Sequence, residues 1–284
     1  MALRQISIAG APKIGEGAHG EVYRIAEDTI VKVYRPTVSI EAIQREKQLA
    51  RWAFVKGLPT AISFDIVQVG ELYGVVYEMI NARSASDYIS ESDENFEKFI
   101  TKSVELMKRI HSVEVMPGEL SDMKEKTVGW IKNLEKYIPS EACLQLLKLT
   151  EKIPDSHTLL HADYHLKNIL ISGDELMLID MDTLCAGDPI FELATIYNSY
   201  MEFPSISPEA AFFLGINTET ANRIWEETLK LYLKDTPEAE RETERTAQIL
   251  GCIRIIDYIE RRPGHIDRDL IIKTCTEDIL KNLQ

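Results

Sequence analysis

The sequence is short of the features that staple or anchor a chain. Its four cysteines, Cys143, Cys185, Cys252 and Cys275, are scattered with no Cys-x-x-Cys pair, which argues against a disulfide framework or zinc knuckle and predicts reduced thiols. No apolar run approaches the length that crosses a bilayer, and residues 1–12 lack the charged start, apolar stretch and cleavage site of a signal peptide. The expected location is therefore the cytoplasm, with no membrane partner. Positive charge is scarce: 32 Lys and Arg stand against 46 Asp and Glu, a formal charge of −14, which repels a nucleic-acid backbone and argues against that partner. Internal repeats and low-complexity tracts are also missing. What is present, 284 residues of which 45% are hydrophobic, suffices for two modest lobes with their own cores.

Residues 5–79 are rich in strand signals, with β-branched or aromatic runs at 5–8, 21–26, 29–34, 62–69 and 72–79 separated by turn residues. One helix interrupts them at 40–55, with Ser39 as its N-cap and Ala42, Ile43, Leu49, Ala50 and Ala53 along one face. Beyond Met79 helices dominate, including 95–113, 221–233 and 241–259, broken by a short β interlude at 158–182. The pattern predicts an α+β chain: an N-terminal lobe over 1–80 built on an antiparallel sheet with one helix, and a mainly helical lobe over 81–284.

Three constellations carry chemistry. Gly15-Glu16-Gly17-Ala18-His19-Gly20-Glu21-Val22 is a glycine-rich turn entering a strand. It reads either as a hairpin bend or as a loop whose Gly15, Gly17 and Gly20 let the backbone approach phosphates. A helix would follow such glycines in a dinucleotide-binding fold; a strand follows here, which resembles the kinase arrangement rather than that one. Lys32 is a cation inside the apolar run Ile30-Val31-Lys32-Val33-Tyr34, and Glu46 falls on the apolar stripe of the 40–55 helix. A buried carboxylate needs a partner, so Lys32 and Glu46 are expected to pair, the alternative being a Glu46 at the stripe's edge reaching water.

The densest signal runs from Leu159 to Asp182. Strands 169–171 and 176–179 flank the turn Ser172-Gly173-Asp174-Glu175. With Ile171 opposite Leu176, Asn168 faces Ile179 and lies diagonal to Asp180, close enough for both side chains to share a hard cation such as magnesium. Asp163, in the preceding loop, could accept a hydroxyl proton and orient the attacking oxygen. Each of these groups alone reads as a turn cap. Together they have defined places in phosphoryl transfer.

These motifs resemble the aminoglycoside phosphotransferase and choline kinase family, relatives of the protein kinases. His161-Ala162-Asp163 through Asn168 is similar to the family's catalytic loop His-Gly-Asp-x-x-x-x-Asn, Ile179-Asp180-Met181-Asp182 to its Ile-Asp-Phe metal segment, and Gly187-Asp188-Pro189 with Glu192-Leu193-Ala194 to its Gly-Asp-Pro-x-x-Asp-Leu-Ala. The resemblance implies a two-lobed protein kinase-like fold and an ATP- and magnesium-dependent transfer of phosphate to a hydroxyl of a small molecule, either a cationic acceptor such as an aminoglycoside or a choline-like amino-alcohol, or a sugar. It also implies Asp163 as catalytic base, Asn168 and Asp180 as Mg2+ ligands, Lys32 with Glu46 positioning phosphates, and main-chain groups of Glu78, Met79 and Ile80 receiving adenine. Ala162 departs from the family's glycine and Met181 from its aromatic. Asp188 before Pro189 reads first as a helix N-cap.

Acceptor residues are less legible. Asp182, His165, Tyr197 and Asp257 are candidates, and most of the aromatic and acidic groups after Leu193 read equally as helix packing. A protein Ser/Thr kinase is the nearest rival, opposed by His-Ala-Asp in place of His-Arg-Asp and by the lack of Ala-Pro-Glu. A catalytically silent nucleotide-binding regulator is another, opposed by the presence of Lys32, Asp163, Asn168 and Asp180 together. A metal-dependent hydrolase using His161, Asp163 and His165 lacks a second set of ligands.

Overall fold

The computed structural model describes residues 3–17, 19–207, 209–234, 237–262, 264 and 267–284, so Ala18 of the glycine-rich turn lies outside the described residues. In chain order the elements are β1 (Arg4–Ile6), β2 (Lys13–Glu16), β3 (Gly20–Arg24), β4 (Thr29–Tyr34), α1 (Ile40–Val55), β5 (Ser63–Val69), β6 (Leu72–Glu78), β7 (Arg83–Ser84), α2 (Ala85–Ser90), α3 (Asp93–His111), α4 (Met123–Asn133), α5 (Ser140–Lys152), β8 (Thr158–Leu160), β9 (Ile169–Ser172), β10 (Glu175–Leu178), β11 (Cys185–Gly187), α6 (Pro189–Tyr197), α7 (Phe203–Ile206), α8 (Glu209–Phe213), α9 (Thr218–Leu233), α10 (Pro237–Glu260) and α11 (Arg268–Asn282). They gather into two units, Met1–Ser84 with Asn168–Thr183, and Ala85–Lys167 with Leu184–Gln284. Among the described residues no helix is long and apolar enough to cross a membrane.

The first unit is built on a six-stranded sheet in the order β1-β5-β6-β4-β3-β2. Short turns force antiparallel pairing along the hairpins, but β1 runs parallel to β5, with Arg4 opposite Val67. The sheet expected to be antiparallel is therefore mixed at one edge. The long stretch from β2 through α1 supplies the crossover that a parallel neighbour needs. Strand alternation then sorts β4: Val31 and Val33 pack with Val67, Val69 and Val76, while Tyr34 joins Ile43 of α1 and Val75. Lys32 shares the Tyr34 side, the side that α1 covers. Ser39 caps α1 by accepting from the Ala42 N–H at 3.2 Å, and the helix buries Ile43, Glu46, Leu49, Ala50 and Ala53.

Gly20 is where β3 crosses β4 most closely, because a Cβ there would sit 2.2 Å from the Val33 carbonyl oxygen. The same unit holds a three-stranded sheet, β10-β9-β7, in which Ile171 faces Leu176 as the sequence pattern predicts.

The second unit is mostly helical. The α3 stripe Phe96, Phe99, Ile100, Ser103, Met107 and Ile110 is buried throughout, each large apolar member contributing roughly 1.5–3 kcal/mol. Helix α10 packs against α4, α6, α9 and α11. The contact with α6 depends on Gly251, where a Cβ would meet Asn198 Oδ1 at 2.1 Å, and the Asn198 amide donates to the Gly251 carbonyl at 3.1 Å. Strands β8 and β11 pair antiparallel, and Asp188 caps α6 by accepting from the Ile190 N–H at 3.0 Å with Pro189 in the first turn.

Candidate active site

In the first unit the Lys32 ammonium lies 2.7 Å from Glu46 Oε1 and 2.8 Å from Asp180 Oδ1. The Lys32 and Glu46 side chains are only 16% and 8% exposed, so the carboxylate on α1 faces inward and takes the partner its burial requires. Burial pulls the Lys32 pKa down, but the charges and hydrogen bonds of Asp180 and Glu46 outweigh it and hold the amine protonated well above its ordinary range.

Asp180 sits at φ +63°, a left-handed conformation that side chains seldom adopt, at the end of the β9–β10 hairpin. The ladder continues past the strands, with the Ile179 N–H donating to the Asn168 carbonyl at 3.0 Å, so Asn168 lies opposite Ile179 and one position from Asp180 along the partner strand. Asn168 is buried. Its amide oxygen and the Asp180 carboxylate offer only oxygen donors, a set that fits magnesium rather than a thiophilic metal. Asp182 lies in the helical turn Met181–Thr183 that follows, half-buried.

Of the three glycines, Gly20 is required by strand contact. Among the described residues, a Cβ at Gly15 would meet only Val22 at an ordinary 3.6 Å, and one at Gly17 would meet nothing within 4 Å. Open space therefore lies over Gly17, whose N–H is turned to the Gly20 carbonyl at 2.9 Å. The Glu78–Ile80 segment is partly committed: the Glu78 N–H donates to Ile62 and the Met79 N–H to Asp28, at 3.0 and 2.8 Å. An adenine would have to use the other main-chain groups there.

In the second unit, His161 and Ala162 follow β8, and Ala162 is held at φ +61°. Glu192, with no exposed surface, accepts from the His161 N–H at 2.6 Å and the Ala162 N–H at 2.9 Å. Burial pushes its carboxyl up, but His111, His161 and the main-chain donor pull it below the ordinary glutamate range. On the next peptide group, between Ala162 and Asp163, Arg254 of α10 donates to the Ala162 carbonyl at 2.6 Å. Farther along, the Tyr200 hydroxyl accepts from the Leu166 N–H at 2.9 Å, and Tyr164 donates to the Ser103 carbonyl at 2.9 Å.

Asp163 emerges from this clamp with its side chain 41% exposed. His165 Nε2 lies 3.4 Å from Asp163 Oδ2, and His165 Nδ1 accepts from the Lys167 N–H at 3.2 Å. An Nδ1 that accepts leaves the proton on Nε2, so the network assigns a neutral imidazole donating toward Asp163. Burial pushes the Asp163 carboxyl up, yet His165, His161 and Arg254 together depress it below the ordinary aspartate range. His165, a candidate acceptor contact in the sequence, is thus placed on Asp163. Tyr197 is buried edge-on against Trp225 at 5.1 Å, and Asp257 pairs with Arg261, so neither is presented openly to a ligand.

The sequence profile of the phosphotransferase enzyme family (APH) matches residues 10–227. The chain belongs to this family. Among solved structures, this family member is similar to the gentamicin complex of APH(2")-IIa (19% identity over 95% of this chain and 90% of that one, TM-score 0.61). It is also similar to the GDP and kanamycin complex of APH(2")-IIia (12%, 98% and 95%, TM-score 0.67), and to a choline/ethanolamine kinase family protein from Mesorhizobium loti (14%, 96% and 92%, TM-score 0.58). These likenesses show a kinase-like fold. No curated protein sequence matches the chain.

In the sequence Arg254 belongs to no motif, and Tyr200 reads only as one of the aromatic groups after Leu193 that could line an acceptor pocket. Arg254 is the lone charge in Gly251-Cys252-Ile253-Arg254-Ile255-Ile256, a signal of a buried cation with a fixed partner. The same signal marks Glu192 within Pro189–Tyr197.

Proposed function

We propose that this chain transfers the γ-phosphate of ATP to a hydroxyl of a small molecule, with Mg2+. The observation that carries the reading is the Lys32 ammonium fixed between Glu46 and Asp180, which holds a positive charge against the Asp180 carboxylate. Asn168 and Asp180 would hold magnesium, which would supply positive charge against the charge developing on the phosphates. Lys32 would steady the α- and β-phosphates, and the backbone at Gly15, Gly17 and Gly20 would lie over them.

In the second unit, Asp163 would accept the acceptor's hydroxyl proton while the acceptor oxygen bonds the γ-phosphorus and the bond to the β-phosphate oxygen breaks, leaving ADP. The Glu192–Ala162–Arg254 clamp would fix its aim. The neutral His165 keeps the carboxylate ionised and so able to receive that proton.

A surface cleft in the second unit, lined among others by Asp93, Phe96, Phe212, Asn217, Thr220 and Arg223, is a place where an acceptor could sit, and the neighbouring Phe213 ring centre lies 5.3 Å from the Lys167 ammonium of the catalytic loop. An ADP-release assay across aminoglycosides, amino-alcohols and sugars tests the reading. Acceptor-dependent turnover with ATP and Mg2+, absent in Asp163→Asn, is the expected outcome; ATP binding without turnover on any of the three classes favours a silent regulator.

A further inference from the structure

The second unit holds a group of ligand-type side chains that phosphate transfer does not use. Glu202 Oε, Cys252 Sγ and Cys275 Sγ all lie within 4.8 Å of one another, and all three residues are buried, Glu202 to 2% exposure. They come from three separate segments: the π-helical turn Asn198–Glu202, α10 and α11. A π turn inserts an extra residue into a helix and is a recurrent device for aiming one side chain; here it turns Glu202 toward both thiols. Asp278, one turn after Cys275 on α11, lies within hydrogen-bonding reach of the same carboxylate. Gln248, one turn before Cys252 on α10, donates to Glu202 Oε2 at 3.3 Å. The groups bearing most strongly on Glu202 are thus Asp278, Cys252 and Gln248, none of them cationic.

We propose that Glu202, Cys252 and Cys275 form a structural zinc site that ties α11 and the π turn to α10. Two thiolates with the two oxygens of the Glu202 carboxylate are a four-donor set of borderline-soft character, which selects zinc over magnesium. The spacing suits it. Zn–S near ~2.3 Å and Zn–O near ~2.0 Å put tetrahedral sulfur and oxygen ligands about 3.5 Å apart. Cys275 Sγ and Glu202 Oε1 stand at 3.9 Å. Such a site is no more negative than a four-thiolate zinc centre. On binding, both thiol protons and any proton shared by the carboxylates leave to solvent, so uptake weakens with acid. Gln248 then supports Glu202 from outside the metal. Because Cys252 precedes Arg254 by two residues on α10, the metal would also stiffen the helix that grips the Ala162 carbonyl.

The test is metal content and a cobalt spectrum. The full chain, purified without chelator, is expected to carry about one zinc per molecule by mass spectrometry, and the apo form, given one equivalent of Co2+, to develop a thiolate-to-cobalt charge-transfer band with tetrahedral ligand-field intensity. Cys252→Ser with Cys275→Ser should abolish both, while Cys143→Ser, on α5, should change neither. Glu202→Gln, which conserves shape if the serine pair fails to fold, should lower zinc occupancy and shift the cobalt band. Zinc-free protein whose Co2+ form lacks a thiolate band overturns the proposal, as does a wild-type zinc content in the serine pair. Cobalt held by the oxygens of Asn168 and Asp180 would give no thiolate band, so the outcome is independent of the phosphotransfer reading.

Discussion

The two units hold buried charge in opposite ways. In the first, a buried cation is held by side chains, Lys32 between Glu46 and Asp180; in the second, a buried anion, Glu192, is held by main-chain N–H groups. A side-chain trio fixes the position of one charge and leaves the backbone free to be set by its strand. A carboxylate gripping two successive N–H groups fixes the backbone itself, and so can keep Ala162 at φ +61°. The first arrangement should therefore fail as weakened chemistry, and the second as weakened folding.

The comparison breaks most visibly at Asp163. Asp163→Asn keeps the shape and removes the proposed proton acceptor, so kcat should fall by roughly 10²–10⁴-fold while nucleotide affinity, read by titration calorimetry, stays put. Retained turnover would remove Asp163 from the chemistry. Lys32→Met should come next, lowering kcat/KM for ATP by roughly 10²–10³-fold with little change in secondary structure by circular dichroism.

Glu192→Ala tests the other side. It leaves two buried N–H groups without an acceptor, so unfolding in urea should report a loss of about 2–4 kcal/mol. A midpoint unchanged from the wild type would show that the clamp is dispensable. Arg254→Met removes only the grip on the Ala162 carbonyl, and a drop in kcat of about tenfold at constant KM is expected from a misaimed Asp163.

What the sequence displays and what it conceals divide along the same line. Lys32, Glu46, Asn168 and Asp180 were legible because each obeys a local period: strand alternation sets Lys32 toward α1, helical spacing puts Glu46 on the buried stripe, and hairpin register puts Asn168 opposite Ile179. Ser39 and Asp188 were legible as caps for the same reason. Arg254 is 92 positions from the carbonyl it holds, and no local period links them. Cys252 and Cys275 likewise meet only because α11 folds back on α10, a tertiary event with no spacing signature. The parallel β1–β5 edge is hidden in the same way, since three residues of strand carry no record of their neighbour's direction.

The finest distinction concerns His165, which acts on Asp163 through a hydrogen bond alone. Burial of Asp163 raises its pKa and His165 lowers it more, with a net depression below the ordinary aspartate value. A carboxylate depressed in the folded state stabilises that state above its unfolded pKa, and this contribution is lost as pH falls through the folded value. In kinetics the same depression keeps Asp163 ionised at every pH from mildly acidic upward, so the acid limb of kcat against pH should not come from this group in the wild type. His165→Ala removes the largest lowering influence and leaves the burial, so the Asp163 pKa rises and an acid limb should appear at higher pH, with the plateau rate nearly preserved. If the limb stays in place while the plateau collapses, His165 contacts the acceptor rather than tuning the base.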